Sequence, residues 1–201
     1  MRYSPSMRLL SLPLVVVFVL PACAHEPAPP ASGAPTCPAS WAAPPVVDPA
    51  LTPPGNPLRV VAHAAATGTQ NYQCASSSGD GGASFAWTLT GPEATLADCK
   101  GAALGRHFAS EAGAAAPKWE AQDGSFVIGK KVAASPSKDA GAVPWLLVQT
   151  TSSGGTGVLS GVTYIQRTTT AGGVAPGGCD AAHAGTVTKV PYTADYWFLG
   201  N

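Results

Sequence analysis

The stretch Tyr192-Thr193-Ala194-Asp195-Tyr196-Trp197-Phe198 places Tyr192, Ala194, Tyr196 and Phe198 two residues apart. A β-strand turns successive side chains to opposite faces, so this spacing gathers the four apolar groups on one side of a sheet. The same period recurs in Phe85-Ala86-Trp87-Thr88-Leu89, in Phe126 with Ile128, and in Val162 with Tyr164. Trp145-Leu146-Leu147-Val148 is apolar throughout, the mark of a strand covered on both faces. Leu58 to Ala64 and Gln70 to Cys74 are two further strand-like runs. Asp80-Gly81-Gly82, Asp123-Gly124, Gly154-Gly155 and Gly172-Gly173 punctuate these runs as turn signals. Nowhere do apolar residues recur at i, i+3, i+4 and i+7 over three turns. A helical turn is expected only at Ala102 to Leu104 and Ser110 to Ala116. There is no internal repeat. The pattern predicts an all-β fold: roughly eight to eleven short strands in a single-domain antiparallel β-sandwich or distorted barrel with many Gly and Pro turns.

Composition narrows the function classes. Of 201 residues 45% are hydrophobic, enough for a core, and only 11% are charged, against roughly 25% in an ordinary soluble domain. The 23 Gly and 20 Pro suit strands joined by tight turns. Eleven basic and eleven acidic residues cancel, with no run of one sign. A nucleic-acid partner is excluded, because counterion release needs a basic stripe.

Residues 1–22 read as a signal peptide. Arg2 and Arg8 precede an apolar run from Leu9 to Leu20, broken by Pro13 and shorter than the roughly 20 residues that span a bilayer. Leu20-Pro21-Ala22-Cys23 resembles a bacterial lipobox, which would lipidate Cys23 and make it the mature N-terminus. The alternative is cleavage after Ala24, at Ala22-Cys23-Ala24, giving a free secreted protein. The uncharged Ala24 favours the outer membrane. The expected location is therefore the cell envelope, as an outer-membrane lipoprotein facing the periplasm or the surface. Residues 23–57 are a Pro/Ala-rich tether, in which Pro27-Ala28-Pro29-Pro30 is extended. Val46, Val47 and Leu51 are expected to dock on the domain, residues 58–201, because Cys37 needs a partner.

Cys37, Cys74, Cys99 and Cys179 form an even set, and in an oxidising compartment two disulfides are expected. Of the three pairings, Cys74–Cys99 with Cys37–Cys179 is favoured, since Cys74 and Cys99 end neighbouring predicted strands. No Cys-x-x-Cys or paired His spacing suggests a metal site.

Motifs with catalytic precedent fail on context. Gly124 to Lys131 imitates a phosphate loop, but Lys131 stands where Ser or Thr should hold magnesium, and no helix follows. Gly155-Thr156-Gly157 with Gly161 lacks the dinucleotide spacing, and there is no Gly-x-Ser-x-Gly elbow. No catalytic residue or cofactor is assigned. The reading favours a binding module over an enzyme, the alternative being a hydrolase or metal-assisted enzyme on envelope polymer or an external small molecule. The candidate ligand-binding residues are His107, Trp119, Glu120, Arg167, Asp195 and Tyr196, in a cleft beside the C-terminal strand. Arg167 and Asp195 are expected to form a buried ion pair. Glu120 and Asp123 could work as paired carboxylates on a sugar, but Asp123-Gly124 reads first as a hairpin turn. Trp41, Trp87, Trp119, Trp145 and Trp197 are expected mostly in the core, with Trp119 the best placed to be exposed. An envelope glycan or protein is the expected partner, together with the membrane through the lipid.

Several blocks, taken in order, resemble a known family. They are Gly68-Thr69-Gln70-Asn71-Tyr72-Gln73-Cys74, Ala94-Thr95-Leu96, Gly105-Arg106-His107-Phe108, Pro117-Lys118-Trp119, Trp145-Leu146-Leu147, Ile165-Gln166-Arg167, Thr170-Ala171-Gly172-Gly173 with Ala175-Pro176, Cys179, and Tyr192 to Phe198. Together they are similar to a secreted domain of unknown function found in bacteria and fungi, whose fungal members carry the label malate dehydrogenase. The resemblance covers about residues 55–199 and implies an extracytoplasmic, disulfide-bonded domain. It supplies no active site. The dehydrogenase label finds no support, because this sequence has no nucleotide-binding fold or fingerprint.

Overall fold

The computed structural model describes residue 1 and residues 37–55, 58–79, 82–111 and 116–201. The signal segment, Cys23 and the start of the tether lie outside the described residues. Eight strands follow in order: β1 (Arg59–Gly79), β2 (Gly82–Ala97), β3 (Ala103–Ala109), β4 (Pro117–Ala121), β5 (Phe126–Ser135), β6 (Trp145–Gly154), β7 (Val162–Gly172) and β8 (Val187–Gly200). Each pairs antiparallel with the next, and β8 closes on β1, so the sheet is a closed barrel. The all-β expectation holds, in its barrel form. Closure pairs the first strand with the last, so the ring itself has no terminal edge strand. Ala103 and Leu104, expected to be helical, open β3 instead. Ser110 to Ala116 lies partly outside the described residues.

The barrel interior is filled by unequal partners. Small residues on β1 and β2, among them Ala64, Ala66 and Ala94, face Trp119 of β4 and Tyr192, Tyr196 and Phe198 of β8. An eight-stranded barrel is just wide enough for such side chains to fill, and alternating small with large groups lets the rings interdigitate. The inward set on β8 is the period-two set of the sequence. Elsewhere the faces differ from expectation. Val127 is buried in the core while Phe126 and Ile128 are partly exposed, so β5 presents its other face. In β7 a register shift between Val162 and Tyr164 sends Val162 into the barrel and Tyr164 to the outer cluster. Phe85, Trp87 and Leu89 are at least partly exposed, because β2 meets β3 only from Glu93 onward. The distal part of the β1–β2 hairpin thus projects beyond the barrel.

The tether boundary is corrected. From Cys37 the chain belongs to the folded body, lying along the outside of the barrel. Asp48 starts a single 3-10 turn (Pro49–Leu51), accepting from the Ala50 amide at 2.9 Å. That turn buries Leu51 completely against Trp145 and Leu147. The Gln166 side-chain amide donates to the Leu51 carbonyl at 2.7 Å. Val47 packs into the same cluster, whereas Val46 is exposed. This arm explains why β6 reads as apolar on both faces: Leu146 and Val148 look inward, Trp145 and Leu147 look outward beneath the arm.

The disulfides are Cys37–Cys99 and Cys74–Cys179, correcting the favoured pairing. Cys74 lies opposite Trp87 across the β1–β2 ladder, whereas Cys99 follows the far end of β2. At about 3.3 Å per residue the end of β2 at Ala97, before Cys99, lies roughly 33 Å from the level of Cys74 along the hairpin. Two cystines point to an oxidising, extracytoplasmic compartment. No helix among the described residues is long and apolar enough to cross a membrane.

Candidate functional site

All eight strands contribute to one cavity of about 180 Å³ inside the barrel, toward the end where β3 stops and β4 begins. Strand register explains which groups meet there. His107 of β3 lies opposite Trp119 of β4, and Arg167 of β7 lies opposite Tyr196 of β8. Each pair shares a face, and in both cases it is the inward one. The His107 and Trp119 rings stack at 4.3 Å with 6° between their planes, and Tyr196 meets both edge-on. Leu146, Val148, Leu89, Pro92 and Pro117 give the cavity its apolar wall, and Lys131 reaches it from an exposed position on β5.

The electrostatics are one-sided. Arg167 is only 8% exposed, and its Nε and Nη2 both donate to the Pro144 carbonyl, at 3.1 and 2.8 Å. Among the described residues it forms no ion pair. The titratable groups that feel its charge are held neutral. Burial pulls the His107 imidazole down to about 3, against a partial rescue by its bond to the Lys118 carbonyl. Burial raises the Tyr196 and Tyr192 phenols above their ordinary value. The Lys118 carbonyl can only accept, so His107 Nδ1, 2.9 Å away, carries the proton and Nε2 is left as an acceptor. Two more donors of the lining, Gln70 Nε2 and Trp119 Nε1, are buried without a hydrogen-bond partner.

The structure therefore brings together His107, Trp119, Arg167 and Tyr196 and separates the other two candidates. Asp195 is adjacent to Tyr196 in the chain and so faces outward. Its Oδ1 lies 3.2 Å from His63 Nε2, at ion-pair range but without hydrogen-bond alignment. The expected Arg167–Asp195 pair is thus corrected, because the barrel wall runs between them. Glu120 is also on the outer face, 3.0 Å from Arg106 and 3.3 Å from Lys118, and the bond from Arg106 holds its carboxyl below the usual range. Asp123 accepts from the Ser125 hydroxyl and amide and from the Val158 amide, fixing the loop rather than facing Glu120. Trp119, expected at the surface, is 1% exposed. Trp41 and Trp87 are partly exposed, and the Trp87 indole donates to the Gly177 carbonyl at 3.3 Å. A larger depression of about 760 Å³ lies on the outer surface. Its charges are already matched, Glu93 with Lys189 at 2.6 Å and Arg106 with Glu120.

Residues 53–200 match the model of a family described as protein of unknown function, DUF3455. The chain belongs to the DUF3455 family. No curated protein and no solved structure matches it. Reading this DUF3455 domain therefore starts from its own cavity. Sequence reasoning overlooked Gln70 and Lys131 there. Gln70 carried a signal, since it stands two residues before Tyr72 and so shares its face. Lys131 enters the sequence reading only as a misplaced residue in a phosphate-loop imitation. The lining holds no carboxylate and no Ser, Thr or Cys. His107 Nδ1 meets a backbone carbonyl there rather than a carboxylate.

Proposed function

We propose that the domain is an extracytoplasmic binding module whose ligand is a small molecule seated in the barrel cavity, and that Cys23 tethers it to the envelope. One observation carries the reading: eight strands converge polar groups and an apolar wall on one cavity of about 180 Å³. Small-ligand sites have this character, a largely apolar lining with a few fixed polar groups. Closed eight-stranded barrels have room for one such ligand. A cavity of roughly 150 Å³ accepts a single benzene, so the volume suits a one-ring or short-chain molecule better than a glycan polymer. The reading fits an oxidising compartment, where the cavity would take its ligand from the periplasm or the medium.

The test is a thermal-shift and tryptophan-fluorescence screen of one-ring and short-chain molecules on the full chain, with Leu146→Phe as control. Leu146 lines the cavity without bonding to anything polar, so a phenyl group there should occlude it. Ligands should raise the melting temperature of the native protein and leave Leu146→Phe unmoved. A screen without a binder, or binders indifferent to Leu146→Phe, would refute the proposal.

A further inference from the structure

Resting on the small-molecule reading above, we infer that the ligand of the barrel cavity is a monoanion, a small carboxylic acid with an apolar body held through Arg167. The argument is one of charge and of donors. A guanidinium removed from water is costly unless a counter-charge or a full set of acceptors replaces its hydration. Arg167 has the Pro144 carbonyl, the neutral Tyr196 hydroxyl beside it and no carboxylate, and every titratable neighbour that senses it is a neutral imidazole or phenol. The lining carries two cations, Arg167 and Lys131, and no acid.

The hydrogen-bonding inventory points the same way. Trp119 Nε1 is a buried donor without an acceptor, and Gln70 Nε2 has only the Tyr192 hydroxyl beside it and no well-formed bond, next to a guanidinium with five N–H groups. Such a surplus of donors is completed by a ligand that only accepts, which is the defining property of a carboxylate. Neutral amides and alcohols would bring donors to a lining whose free acceptor is His107 Nε2, against the donors of Arg167, Trp119 and Gln70. Among anions, the one buried positive charge, Arg167, balances one negative charge, whereas Lys131 keeps its charge in solvent at the rim, so a phosphate dianion would carry a second charge inside with no buried partner. The wall formed by Leu146, Val148, Pro92 and Pro117 gives phosphate nothing to bind, but would cover the ring or chain of an organic acid. Lys131, exposed at the rim, would draw the anion in.

Titration calorimetry of the full chain with benzoate and hexanoate, set against benzamide, hexanamide and inorganic phosphate, tests this. The acids should bind about 10- to 100-fold more tightly than their amides, the range for a charge-assisted hydrogen bond. Phosphate should not compete. In Arg167→Gln, with folding confirmed by circular dichroism, the preference should vanish and the amides should bind at least as well as the acids. Gln70→Leu, which keeps every charge, should retain the sign of the preference while weakening it. Acids and amides binding equally would overturn the monoanion and leave the small-molecule site intact. Phosphate matching benzoate would overturn the organic carboxylate. No binding by any probe would overturn both readings.

Discussion

At the scale of single residues, His107 shows what burial does to a titratable group. Its unfolded value lies near 6.5 and its folded value near 3. Between these the unfolded chain holds the extra proton, so stability is complete above about 6.5 and declines as pH falls toward about 3, by up to about 1.4 kcal/mol per pH unit. In His107→Gln this part of the slope should disappear. Urea titrations of both proteins between pH 7 and pH 5 check it, and parallel curves would show that His107 is not held neutral. Residue roles were legible where strand alternation alone decides them. Arg167 shares a face with Ile165, and Tyr196 with Tyr192, so both reach the interior. Alternation also sets Asp195 apart from Tyr196, yet a partner across the sheet depends on register, which no spacing within one strand reveals. Asp195 stands opposite Thr168 and Arg167 opposite Tyr196.

At the scale of elements, β1 is one strand of 21 residues, although its sequence reads as two runs. The gap between them, Ala65-Ala66-Thr67-Gly68-Thr69, looks too small and polar for a strand in isolation. It is tolerated because Ala66 faces the rings of the core, and Gly68 lets β1 approach β2 so closely that a Cβ there would overlap the Glu93 carbonyl and Ala94. The underestimated length of this hairpin is also why Cys74–Cys99 was a poor pairing. The arm was half legible: Leu51 was expected to dock, but the surrounding Pro and Ala concealed how much of the segment packs. Leu51 fills a site closed by Trp145 and Leu147, so Leu51→Ala should lower stability by about 2–5 kcal/mol. Chemical unfolding of the two proteins measures it, and a loss below about 0.5 kcal/mol would mean the arm does not stay seated.

At the scale of the whole molecule, closure of the barrel and the path of the arm act together. Within the ring each strand has a neighbour on both sides, so the open ladder for strand addition by another chain is confined to stretches such as the projecting β1–β2 hairpin, where β2 before Glu93 has no β3 partner. The fold class was readable because turn glycines and period-two runs persist along the chain. The choice of barrel over sandwich was not, since it rests on β1 meeting β8, a contact between the two ends of the domain. The interior site follows from that closure, because groups from eight separate strands become neighbours only when the ring is complete.

Both cystines join the part of the chain up to Cys74 to the part from Cys99 onward. The projecting β1–β2 hairpin, which lies between those limits, presents exposed backbone to an external protease. A single cut there would leave two fragments doubly cross-linked and still paired through the barrel wall. The clipped protein would migrate as one species until thiols are added, so such a domain can survive nicking in a protease-rich setting with its interior undisturbed.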